Sequence, residues 1–312
     1  MAHYTKLTTE EFKVVLADYD ITKVISWKIL SGGSENTNFL VESEKGKLVL
    51  TFCEQKTMQE ANQLADLLEH LNHNGFSTSK VLSNNKNQLV NIWKGKPFMV
   101  KAFLGGEVIE DIPNDLLVKI GNDLGALHQI ESPAYLPQKC AYGEEYFKEM
   151  YHFEPDGKFT QWLNDIHLYL QEYLVEELPK ALIHSDIFYN NIIIDQEKNT
   201  ATIMDFEEAC YYYRLFDIGM IIVGVCSKGT SIDLEKTKHL LRGYRQIISL
   251  RETEEKALKA FAVYAAAATA FWRYKNFRFT KPDPNYYDKY VTMKELADHI
   301  KALPDDCFAS RK

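Results

Sequence analysis

A two-lobed α+β fold, with a small antiparallel-sheet lobe ahead of a larger, mainly helical one, is what the sequence predicts. Three observations carry this. Strand-like runs and tight turns crowd the first hundred residues, the pair Gly105-Gly106 then breaks the pattern, and helical periodicity dominates everything beyond it. The expected division is therefore residues 1–104 and 105–312. A chain of 312 residues with 46% hydrophobic and 12% aromatic content also has enough apolar material for a core in each lobe.

The elements follow in order. Thr8 with Glu11 three residues on fits a capping box ahead of an amphipathic helix over 12–19. Strands are expected at 24–30, 37–42 and 47–52, the last two joined by a Ser43-Glu44-Lys45-Gly46 turn. Residues 58–72 repeat Leu64, Leu67, Leu68 and Leu71 at helical spacing, and Gly75 suits the stop. Two more strands, 88–93 and 97–104, complete the small lobe. Helices are then expected at 114–130, 159–178, 217–225, 234–248, 253–274 and 287–303, with a short hairpin at 192–195 and 201–204.

Composition narrows the function classes. With 36 Lys+Arg against 44 Asp+Glu the formal charge is −8, so no overall basic field exists to attract nucleic acid or an anionic membrane. The start is polar, and the longest weakly polar run, 261–272, is too short to span a bilayer, which predicts a cytosolic protein. Five cysteines with no C-x-x-C pair predict buried free thiols, not a disulfide framework or a zinc site. No repeat or low-complexity tract is present.

The most specific pattern is His184-Ser185-Asp186-Ile187-Phe188-Tyr189-Asn190-Asn191, followed by a strand-like run into Met204-Asp205. Asp186 lies two residues after His184, Asn191 seven after it, and Asp205 nineteen after Asp186. This spacing matches a phosphoryl-transfer loop, where one carboxylate orients the attacking hydroxyl and oxygen donors hold metal against phosphate. Asp186 is the expected base. The neutral amide of Asn191 and the charge of Asp205 suit hard magnesium ions shared with ATP phosphates, and the seven-residue count selects Asn191 over Asn190. His184 suits a bracing role by hydrogen bonding. Asp217 is either a helix N-cap or a buried brace for the same loop.

A second feature, Ser31-Gly32-Gly33-Ser34-Glu35-Asn36-Thr37-Asn38, lies between two predicted strands. Glycines let a backbone approach phosphates, and successive amides can cradle oxygen atoms.

HSDIFYNNIII with IMDFEEA resembles the catalytic and metal motifs of the aminoglycoside phosphotransferase-like kinases, and the remainder is similar to type II homoserine kinases. The supporting stretches are YTKLTTEEF, GGSENTNFLV, KLVLTF, LLEHLNHNGF, LGALH, ATAFWRY and KPDP, spread from Tyr4 to Tyr290. The resemblance implies a protein-kinase-like fold with ATP adenine packed between the lobes against 100–104, where Val100 and Ala102 are the named contacts. It implies Asp186 as catalytic base, Asn191 and Asp205 as Mg2+ ligands, and Gly32, Gly33, Ser34, Asn36 and Asn38 as phosphate-loop residues.

One departure stands out. Many relatives place a Lys or Arg in the third strand to hold phosphates, but here the matching position is Thr51, and Lys47 lies roughly 13 Å away along the strand. Without a lysine partner, Glu60 and Glu69 read as surface charges. For the acceptor, Glu207, Tyr211, Arg214, Trp272 and Arg273 are candidate wall residues, an arginine being suited to the carboxylate of an amino acid. The expected activity is ATP-dependent phosphorylation of a small-molecule hydroxyl, with L-homoserine first. Aminoglycosides, choline or ethanolamine, and sugars are the alternatives within that class, and a nucleotide-binding pseudokinase is the alternative of another class. Either a monomer or a homodimer fits.

Overall fold

In a computed structural model of the chain, which describes residues 5–30 and 36–309, Thr8 and Glu11 start the first helix reciprocally. Glu11 N donates to Thr8 Oγ1 at 3.3 Å, and Thr8 N to Glu11 Oε2 at 2.8 Å. The helix, α1 (Thr9–Leu16), buries Phe12, Val15 and Leu16, then tightens into a 3-10 turn that ends at Asp20. The chain divides into two compact units, Met1–Gly105 and Gly106–Lys312.

The first unit is built on an antiparallel sheet. Its strands are β1 (Val24–Ile29), β2 (Asn36–Ser43), β3 (Gly46–Cys53), β4 (Val81–Leu82), β5 (Val90–Trp93) and β6 (Lys96–Ala102). The order is β1-β2-β3-β6, and the far side of β6 carries both β4 and β5. The β2–β3 turn closes at Gly46 with φ +106°, a conformation glycine adopts without a Cβ penalty. Alternation along the strands sends Phe39, Val41, Leu48, Leu50, Phe52, Phe98 and Val100 to one buried cluster with Phe12 and Leu16 of α1. Each such side chain stabilises the fold by roughly 1.5–3 kcal/mol.

Helix α2 (Met58–His73) follows β3, opened by a second capping box. Glu60, exposed as expected, accepts from Thr57 N at 2.7 Å, so its carboxylate serves the helix start.

The second unit is mainly helical, with α3 (Asn114–Leu127), α4 (Met150–Phe153), α5 (Lys158–Gln171), α6 (Arg214–Val225), α7 (Leu234–Ile247), α8 (Glu252–Lys275) and α9 (Val291–Ala302). Its centre is α8, where 260–268 is fully buried: the alanine run lets neighbouring helices approach closely. Four short strands, β7 (Lys180–Ile183), β8 (Ile192–Asp195), β9 (Thr200–Ile203) and β10 (Cys210–Tyr213), form two antiparallel pairs, β7–β10 and β8–β9. The entry to this unit is fixed at once. Gly106 has φ +122°, a Cβ there would lie 2.4 Å from Ile194 O, and the next residue, Glu107, exchanges two 2.9 Å backbone hydrogen bonds with Ile194.

Three expectations are corrected. The helix over 159–178 ends at Gln171: Tyr173 N and Leu174 N both donate to Leu170 O, and the chain then passes through turns to β7. The helix over 287–303 starts at Val291, after a 3-10 turn that Pro284 opens. The helix expected to open at Asp217 begins at Arg214, which puts Asp217 inside the first turn, where it is not an N-cap.

Candidate active site

The loop after β7 is held from several sides. Ser185 adopts φ +67°, which is costly for a residue with a side chain. Its backbone N donates to Asp217 Oδ1 at 2.7 Å, its Oγ to Glu208 O at 2.7 Å, and its carbonyl accepts from the Tyr142 hydroxyl at 2.6 Å. Asp217 Oδ2 also accepts from His184 N at 2.8 Å. His184 is buried, with Nε2 2.9 Å from Met204 O and Nδ1 accepting from Asp186 N at 3.2 Å. His184 thereby links the loop to the end of β9.

Asp186 is half-buried at the tip of this loop. Burial, then the nearby charges of Asp205 and Glu208, push its carboxyl up to about 7, opposed by the Asn191 hydrogen bond and by Arg273. Asn191, buried at the end of a 3-10 turn, donates through Nδ2 to Asp186 O at 2.8 Å and to Asp186 Oδ2 at 3.3 Å. Its amide nitrogen is thus spent on Asp186. The oxygen Oδ1 remains as the donor a cation would use. Asp205 follows β9 at φ +71°, and its charge reaches Asp186. One carboxylate and one amide oxygen form a sparse, hard donor set, which fits magnesium, an ion that keeps several waters and takes few protein ligands. Among the described residues, no cluster of three or more His, Cys, Asp or Glu offers a denser metal site.

Beside the loop lies a cavity of ≈480 Å3 lined by Pro137, Gln138, Lys139, Tyr146, Glu207 and Glu208, among others. Tyr211 is not in that lining; its backbone N donates to Pro137 O at 2.8 Å, which ties β10 to the cavity wall. Arg273, on α8, lies 5.9 Å over the Phe188 ring and acts electrostatically on Asp186. Arg214 does not join them: its guanidinium forms a two-pronged pair with buried Glu254 at 2.7 and 2.6 Å. That fork is filled. Trp272 is 36% exposed and packs edge-on against Phe277 at 5.8 Å.

In the first unit, Asn36 and Asn38 lie on β2, while Gly32, Gly33 and Ser34 fall outside the described residues. Val100 is buried in the sheet cluster, and Ala102 is half-buried at the end of β6.

Several participants lie outside the spacing argument for the loop. His128, at the end of α3, is buried with Nε2 3.2 Å from Asp217 Oδ2 and Nδ1 2.9 Å from the Tyr244 hydroxyl of α7. Its one signal is that it closes the LGALH stretch. Glu208 lies within IMDFEEA, but its contact with the loop, like that of Tyr142, joins residues distant in the chain.

The profile of the phosphotransferase enzyme family matches residues 26–250. The homoserine kinase of Phenylobacterium zucineum (strain HLK1) is 27% identical over 315 residues, covering 96% of this chain and 97% of its own. Among solved structures, a microcompartment-associated aminopropanol kinase superposes with a TM-score of 0.71 at 16% identity, over 97% of this chain and 99% of that one. An amicoumacin kinase in complex with AMP-PNP and Ca2+ gives 0.70 at 18% identity, over 96% and 99%. These likenesses establish the kinase-like α+β fold. Because the family profile spans most of the chain, the stretch from His184 to Asp205 included, the protein belongs to the phosphotransferase enzyme family and is a small-molecule kinase with a hydroxyl acceptor.

Proposed function

We propose that the protein transfers the γ-phosphate of ATP to the hydroxyl of L-homoserine, releasing ADP and O-phosphohomoserine in a cytosolic route to threonine. Asp186 accepts a hydrogen bond from the acceptor hydroxyl and takes its proton as the new oxygen–phosphorus bond forms. The bond between the γ-phosphorus and the bridging oxygen breaks, and ADP leaves with its electron pair. Asn191 holds Asp186 in place through Nδ2 and, with Asp205, is the oxygen donor for Mg2+. An ion held by these two residues would supply neutralisation of the phosphate charge. The first unit supplies the phosphate loop over 32–38 and the adenine contacts near Val100 and Ala102. The second unit supplies the acceptor pocket.

The observation that carries the acceptor is the presence of opposite charges around one carboxylate. Glu208 and Arg273 both act on Asp186, so an amino acid bearing its hydroxyl there meets an anion for its ammonium and a cation for its carboxylate. The likeness to a homoserine kinase along nearly the whole chain supports the same choice. A second reading, an amino alcohol without a carboxylate, is favoured by Glu207 and Glu208 in the cavity wall but makes no use of Arg273.

The test is ADP release by purified protein with Mg-ATP across homoserine, amino alcohols, choline, aminoglycosides and sugars. Homoserine is expected to turn over fastest, and turnover of none would reject the proposal. Asp186→Asn is expected to bind ADP normally while losing about 10²- to 10⁴-fold in turnover. Unchanged turnover would remove Asp186 as the base.

A further inference from the structure

The strand position that carries a phosphate-binding cation in many related kinases is Thr51, which has no charge to offer. Thr51 is 1% exposed in β3 and pairs directly with Asn38 of β2. Its hydroxyl donates to Asn38 Oδ1 at 2.8 Å, a normal distance for such a bond. That bond fixes which end of the amide faces Thr51 and turns its two N–H donors away from it. Asn38 is half-buried, and it projects from the same face of the sheet as Asn36, the first residue of β2.

Resting on the reading of ATP-dependent transfer, we propose that Asn38 donates through Nδ2 to a nucleotide phosphate oxygen. Thr51 is its positioning residue, and a neutral amide thereby replaces the strand cation. Thr51 suits the part for two reasons. As a β-branched residue it fits a strand, and its buried hydroxyl needs a partner, which fixes the direction of the amide.

Other cations on this face are less well placed. Lys47 lies four residues from Thr51 along β3, with its Nζ 5.7 Å over the Phe103 ring. Lys28 pairs with Leu40, which in turn pairs with Val49, so two strand spacings and one pleat separate it from Thr51. Lys101 is the nearest competitor, because it pairs with Val49 and is diagonal to Thr51 on the same face. The two candidates differ in what deletion does.

Asn38→Asp keeps an oxygen for Thr51 and replaces the donating NH2 with a group that repels phosphate. It is expected to weaken Mg-ADP binding, measured by calorimetry, and raise the KM for ATP about tenfold or more, with the acceptor KM unchanged within about twofold. Thr51→Val conserves shape but frees the amide, so about a three- to tenfold rise in the ATP KM is expected, while Thr51→Ser stays near wild type. Circular dichroism identifies any variant that fails to fold, and the valine and serine variants then decide alone. Wild-type Mg-ADP affinity in Asn38→Asp or Thr51→Val would overturn the proposal, as would an ATP defect confined to Lys101→Met. Mg-ADP binding needs no acceptor, so it reads this inference even if homoserine fails as substrate. Absence of nucleotide binding by the wild-type protein would overturn both readings.

Discussion

Ser185 holds a left-handed backbone conformation that its side chain disfavours, and Asp217 is the group that makes it tolerable. One carboxylate there accepts two backbone N–H groups and faces His128, all in the buried interior. Asp217→Asn retains the shape but turns one acceptor into a donor, which would face either a backbone N–H or the imidazole. A loss of about 1–3 kcal/mol in unfolding free energy is expected, with a fall in kcat and little change in the KM for ATP. A fully active variant of wild-type stability would show that the loop holds itself. Asp123 on α3 gives a pH-dependent counterpart. Burial, only partly opposed by Lys119, raises its carboxyl from 3.8 to about 6. Below pH 4 both folded and unfolded chains are protonated there and nothing is lost. Between about 4 and 6 only the unfolded chain releases its proton, so stability falls as pH rises and the cost is complete above 6. Asp123→Asn is therefore expected to stabilise the protein by about 1–3 kcal/mol at pH 7.5 and by almost nothing at pH 4, read from denaturant unfolding at both values.

Helix α6 does for the loop what no single side chain does. Asp217 in its first turn binds the backbone of His184 and Ser185, and Gly224 near its other end lies against Ile187, where a Cβ would stand 2.2 Å from the carbonyl oxygen. The three nearest obstacles to an alanine at 224, Ile187 O, Ile187 C and Phe188 Cα, are all backbone, so the loop itself must shift. Gly224→Ala is expected to cut turnover at least about tenfold while leaving the helical circular dichroism intact, because a displacement of about 1 Å in a positioned base costs that much or more. Unaltered turnover would show that the loop can slide without consequence. The longer elements are legible in sequence where the period is sustained: α2, expected over 58–72, is Met58–His73, whereas the shorter α1, expected over 12–19, is Thr9–Leu16 because the helix starts directly after the Thr8 cap. The four-residue strands β7 and β10 are not, since so short a run shows no period and their pairing joins residues 27 or more positions apart. Asp217 shows the same limit. The sequence leaves it open between cap and brace, and the choice depends on where α6 starts, an error of three residues.

Across the whole molecule, four of the five cysteines are buried and Cys307 is intermediate, none of them in a disulfide. Burial raises the Cys140, Cys210 and Cys226 thiols, which keeps them protonated and inert. A thiol-reactive chromogenic reagent is expected to label at most one cysteine quickly in the native protein and five after denaturation. Two or more fast thiols in the native protein would contradict this packing. No helix among the described residues is long and apolar enough to cross a membrane. Fixed spacing along one loop is what the sequence reveals of the site: Asp186 and Asn191 are five residues apart, and their hydrogen bond follows from that local turn. Groups recruited from elsewhere, such as Tyr142, 43 positions from Ser185, depend on the finished fold and leave no local trace.

Asp217 joins His184 across 33 positions and His128 across 89, and His128 reaches Tyr244 across 116. Contacts of such separation form late, after the loop-closure entropy of the intervening chain has been overcome. A chain whose second unit is incomplete lacks the contacts that fix the course of the segment bearing Asp186, so the geometry of that segment is a property of the finished interior and not of the segment itself.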